Sequence, residues 1–113
     1  MKEILKNRTK KYASDCWKLC AKFPVSREYN AYCNQLIRCS SSVGANDRAA
    51  CRAKSDADFI NKIEIVDEEA DESMYFLEIS NIENQEIKRL HKEGNELLSI
   101  VVASIKTMRN RKS

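Results

Sequence analysis

The sequence predicts an all-α protein, an antiparallel up-down-up-down four-helix bundle. Three observations carry that expectation. Two Gly and one Pro in 113 residues leave little to interrupt long helices. Four stretches place apolar residues at steps of three and four, the period of one helix face. The links between them are short, which sets successive helices side by side and in opposite directions.

The first helix is expected over about residues 2–22, with Leu5, Tyr12, Cys16, Leu19 and Phe23 as its apolar stripe and Trp17 beside it. Pro24 ends it, because proline pushes the residue before it out of helical geometry. Ser26 then caps a second helix over about 27–52. Its inward positions are Tyr29, Tyr32, Cys33, Leu36, Ser40, Val43 and Ala50. Gly44 costs about 1 kcal/mol against Ala inside a helix, so a close helix contact or a kink is expected there.

Small residues from Ser40 to Ala50 lead into Ser55, whose hydroxyl can cap a third helix, with Asp56 and Asp58 in the first turn facing the positive dipole end. That helix is expected over about 56–79, with Phe59, Ile63, Val66, Ala70, Ser73, Met74 and Leu77 inward. A polar link, Ser80 to Asn84, leads to a fourth helix over about 85–108. Ile87, Leu90, Leu97, Val101, Ile105 and Met108 line it, and Leu98 and Val102 widen the stripe as a bundle core requires. The basic tail, 109–113, is expected to fray.

One domain with its own core is the reading of this length and of 42% hydrophobic residues. No apolar run approaches the roughly 20 residues that span a bilayer, and MKEILKNRTKKYA lacks an apolar signal segment. Five Cys without a C-x-x-C pair read as reduced core thiols, so a cytoplasmic setting is expected. His91 is the single histidine, and Lys88 rather than Glu stands three positions before it, which excludes the Glu-x-x-His pattern of bundle metal sites. The acidic run 67–72 spreads its carboxylates around the helix at about 100° per residue, so it reads as a solvated or salt-bridged face. No phosphate-cradling Gly loop, nucleophile elbow or zinc spacing occurs. The residues therefore indicate no enzyme, no cofactor, no metal and no small-molecule substrate.

Charge is modest in sum, at +3, but polarised by the topology. The start of the first helix, the junction of the second and third, and the end of the fourth fall at one end. Twelve basic residues gather there against Glu3, Asp47, Asp56 and Asp58, a net of eight positive charges. Such an end can attract phosphate backbones. The candidate contacts to RNA or DNA are Lys6, Arg8, Lys10, Lys11, Arg52, Lys54, Arg109 and Arg111; Lys2, Arg48, Lys106 and Lys112 complete the cluster. The competing reading is a scaffold for a protein partner, whose basic end only maintains solubility. On the third helix Ile65, Tyr75, Phe76 and Ile79 fall away from the core stripe, as a homo-oligomer interface would.

NQLIRCSSSVGANDRAACRAKSDADFINKIEIVDEEADESMYFLEI (34–79) and KEGNELLSIVVASIKTMRN (92–110) resemble the 23S rRNA-intervening-sequence, or S23, proteins. Ser-Val-Gly-Ala-Asn, Ala-Asp-Phe and Glu-Glu-Ala-Asp-Glu, in that order, carry the resemblance. Asp47 departs from it where the family usually has an aromatic, Ala49 where Glu is common, and Phe76 where Trp is usual. The resemblance implies a four-helix bundle, a cytoplasmic bacterial protein, a homopentamer and no established enzymatic activity. The accessory protein of diversity-generating retroelements looks like a relative, and it binds nucleic acid and a reverse transcriptase through a basic surface.

Overall fold

Serine hydroxyls set where two of the helices begin. In the computed structural model, Ser26 Oγ accepts from the Tyr29 amide and Ser55 Oγ from the Asp58 amide, each at 3.1 Å, with both serines in extended backbone. The structure describes residues 2–112, with side chains from 3 to 111; Met1, Ser113 and the side chains of Lys2 and Lys112, two members of the basic cluster, lie outside the described residues. Four helices follow: α1 (Lys2–Cys20), α2 (Arg27–Ala50), α3 (Asp56–Ile79) and α4 (Gln85–Lys112).

Three boundaries differ from the sequence expectation. α1 and α2 each stop two residues early, because their last turns tighten to i→i+3 bonds: Phe23 N to Cys20 O and Ala53 N to Ala50 O, both 3.1 Å. α4 instead runs four residues further, through the tail expected to fray. Arg109 Nη2 donates to Glu64 Oε2 at 3.0 Å and ties those last turns to α3. The start of α4 has a cap that the sequence reading missed. Asn84 Oδ1 accepts from Glu86 N at 2.7 Å and from Ile87 N at 3.2 Å.

Cross-helix partners run in opposite directions at every interface. Thr9 meets Gly44 while Cys20 meets Cys33; Tyr32 meets Phe76 while Arg38 meets Glu69; Met74 meets Gly94 while Glu64 meets Arg109; Arg8 meets Glu93 while Asp15 meets Arg89. The bundle is thus antiparallel, and the helix starts and ends group as the charge argument requires.

Two clusters fill the interior. One centres on Tyr12, Leu36, Leu77 and Leu97, the other on Val43, Ile63, Val66 and Val101. Across the first, Ser73 Oγ donates to Ala70 O, which leaves it to accept from the Tyr12 hydroxyl at 2.7 Å. The close helix contact expected at Gly44 lies instead at Gly94. A Cβ on Gly94 would stand 2.9 Å from Met74 Cγ and 3.0 Å from the Tyr12 hydroxyl, whereas one on Gly44 would meet Thr9 at an ordinary 3.5 Å.

The interior also takes residues the stripes did not include: Thr9, Asp15, Cys39 and Asp47 are buried, and Val102 turns outward. On α3, Tyr75 and Ile79 are exposed, but Phe76 and Ile65 are half-buried. Phe76 packs edge-on against Tyr32, with centroids 6.1 Å apart, while the Tyr32 hydroxyl donates to the Phe76 carbonyl at 2.6 Å. Phe76 belongs to the α2–α3 packing of its own chain.

Candidate nucleic-acid interface

Small side chains on two facing helices make a cleft, and basic ones line it. On α1, Lys6, Thr9, Lys10 and Ala13 follow the spacing i, i+3, i+4, i+7; on α2, Ser41, Gly44, Ala45 and Arg48 repeat it. Each set is therefore one helix face. The two faces meet in a cleft of about 320 Å³, with Thr9, Ala13, Ser41, Gly44 and Ala45 between Lys6, Lys10 and Arg48. Among the described residues, none that lines it is acidic. Arg48 lines it too, although it is not among the contacts expected from sequence. The signal was present, since it stands four positions after Gly44 on the small-residue face.

The eight candidates divide by what they already hold. Lys6 and Lys10 line the cleft. Arg52, Lys54 and Arg111 are exposed, outside its lining, with no ion pair among the described residues. Arg8, Lys11 and Arg109 are engaged within the chain. Arg8 Nη2 meets Glu93 Oε1 at 2.6 Å and Glu96 Oε1 at 3.2 Å, and the hydrogen bond to Glu93 raises its pKa. Lys11 Nζ lies 2.7 Å from Asp15, and Arg109 pairs with Glu64. The basic end thus carries fewer available charges than the count by topology gave, because Glu93 and Glu96 reach toward it from α4.

Asp47 follows the same logic in reverse. It is adjacent to Arg48 in sequence, yet it is 3% exposed and points into the bundle. It is not part of the cleft lining, and burial raises its carboxyl pKa. Elsewhere the acidic run on α3 is partly consumed by Arg38, which donates to Glu69 at 3.0 Å and also bonds Glu72. His91 Nε2 lies 2.8 Å from Glu78 Oε2 on a partly exposed surface. All five cysteines are free, and burial pushes the Cys16 and Cys39 thiols up to about 12, far from thiolate chemistry at neutral pH. Among the described residues, no group of three His, Cys, Asp or Glu side chains is placed to hold a metal, and no helix is long and apolar enough to cross a membrane.

Three cations flanking a floor of small side chains suit phosphate oxygens, which can approach the helix surface without steric opposition. No aromatic on which a base could stack is among the described residues lining it.

Comparison with known proteins gives a consistent placement. A family model described as 23S rRNA-intervening sequence protein matches residues 2–103. A crystal structure of a protein with unknown function from the S23 ribosomal protein family of Bacteroides thetaiotaomicron VPI-5482 is similar at 32% identity. The match covers 94% of this chain and 99% of that one, with a TM-score of 0.82. No curated protein matches.

Proposed function

The chain belongs to the 23S rRNA-intervening sequence protein family, and from that premise we propose that it is a non-enzymatic, cytoplasmic accessory protein that binds RNA or DNA backbones through its basic end. The observation that carries the reading is the α1–α2 cleft, where Lys6, Lys10 and Arg48 are held around a floor of small residues. Recognition is then by charge and shape, with little sequence preference. Assembly belongs to the same reading: the exposed pair Tyr75 and Ile79, one turn apart on α3, offers a face for a second copy, and a pentamer is the number the resemblance implies. In such a ring the basic ends of several subunits would sum their fields, which favours a polyanion over a small ligand.

A salt titration of the purified protein with structured RNA and with duplex DNA tests it. Three phosphate contacts correspond to a slope near −2.7 in log K against log salt, or roughly 40-fold weaker binding from 50 to 200 mM. The Lys6/Lys10/Arg48→Glu variant should lose binding, while Lys22→Glu, at the opposite end, should retain it. Salt-insensitive binding, or unchanged affinity in the triple variant, would overturn the cleft mechanism. If neither nucleic acid binds at low salt, the scaffold reading stands in its place.

A further inference from the structure

The second cleft at the same end has the opposite character. All four helices line it, α4 with the most residues, and its volume is about 460 Å³. Leu5, Phe59, Ile63, Ile100 and Met108 are its large apolar lining residues, and Asp47 reaches it from α2. Among the described residues, every other one lining it is uncharged. Its size falls within the range of small-molecule sites, which combine apolar walls with one or two fixed polar groups.

Asp47 is what makes this groove more than an apolar gap. Its side chain is 97% buried, and Oδ2 is the one buried side-chain oxygen or nitrogen among the described residues without a hydrogen-bond partner. Ser104 lines the same groove, but its hydroxyl donates to Ile100 O at 3.0 Å. Asp47 also sits in the last turn of α2, where the helix dipole places partial negative charge. A carboxylate at a helix C-terminus, in apolar surroundings, favours its protonated form unless a cation or a hydrogen-bond donor reaches it.

The geometry points to a binding site for a small amphipathic amine, its ammonium group on Asp47 and its apolar body along Leu5, Phe59, Ile63 and Met108. The exposed cations of this end act against such a ligand only through water, where salt screens them over about 10 Å. The buried carboxylate is not screened in that way, so the local charge decides. This site is independent of the phosphate-binding reading, since the two clefts share no lining residue.

The probe is 2-phenylethylamine, compared with its neutral counterpart 2-phenylethanol and the anion 3-phenylpropionate, by titration calorimetry and by amide chemical shifts. The amine should bind saturably, at least tenfold tighter than the alcohol, with shifts centred on Asp47, Phe59 and Ile100. In Asp47→Asn, and in the nearly isosteric but apolar Asp47→Leu, the advantage of amine over alcohol should vanish while the alcohol still binds. Circular dichroism confirms that each variant is folded. Equal binding of amine and alcohol to the wild type, an advantage that persists in Asp47→Asn, or no saturable binding at all would each overturn the site. Nucleic-acid affinity measured on the same Asp47 variants should stay unchanged, which separates this inference from the proposed function.

Discussion

Each half of the bundle contains one glycine and one buried aspartate, and the two halves treat them in opposite ways. In the half away from the basic end, Gly94 lets Tyr12 and Met74 close on α4, and Asp15 receives both Lys11 at 2.7 Å and Arg89 at 2.8 Å. In the basic half, Gly44 lies in the floor of a cleft with room for a methyl group, and Asp47 has no partner. Burial by itself would raise both carboxyl pKa values. At Asp15 the bonds from Lys11 and Arg89 outweigh burial and the pKa falls; at Asp47 burial acts alone and the pKa rises. One half is arranged for stability. The other keeps space and unpaired charge, which is where binding sites are found.

Substitutions at these four residues should expose the contrast, beginning with the tight half. Gly94→Leu forces side-chain atoms into Met74 and Tyr12 and should cost about 3 kcal/mol, read from the midpoint of urea unfolding. Asp15→Ala removes two charged hydrogen bonds and leaves Lys11 unpaired, while Arg89 keeps Glu86; since both cations are largely exposed, about 1 kcal/mol is expected. Asp47→Leu should act in the other direction. Replacing an unpartnered buried carboxyl by an apolar group should stabilise by about 1 kcal/mol at neutral pH. Gly44→Ala should gain about 0.5 kcal/mol through helix propensity, since its new methyl meets Thr9 at contact distance.

Acidity separates the two aspartates further. Asp15 has a depressed folded pKa, so its contribution is present above the unfolded value near 4 and is lost as pH falls through the folded one. Asp47 has a raised folded pKa, so the folded state binds the extra proton. Its cost is absent below about pH 4 and grows as pH rises toward the folded pKa. Stability curves of the wild type and Asp47→Asn should therefore converge near pH 4 and separate at neutral pH, with the variant higher. Parallel curves would contradict the unpartnered state of Asp47.

The candidate site was legible only in part. Chain order puts Lys6 and Lys10 at a basic end, and the fold sets both on the cleft. Arg8, Lys11 and Arg109 were counted with them, since a charge count by position along the bundle cannot see a carboxylate arriving from another helix. Glu93 and Glu96 carried no sign in sequence that they face Arg8. In sequence Arg48 stands beside the opposite charge of Asp47; only the fold turns Asp47 inward and leaves Arg48 on the cleft. Phe76 was read as surface from its angle on the α3 wheel, but Tyr32 on α2 covers it.

The sequence by itself determined the four helices, their two serine caps and their inward stripes. These are local properties: a 3.6-residue period, a hydroxyl beside unpaired amides, and a proline after Phe23. Tertiary structure alone decided which glycine carries the close contact, which arginines are spent, and that Asp47 faces a groove while its neighbour Arg48 faces a cleft. Those outcomes depend on pairings between residues tens of positions apart, such as Arg8 with Glu93 and Tyr12 with Ser73. No local pattern encodes them, because adjacent residues on a helix point about 100° apart, and what each one meets is set by the helix packed opposite.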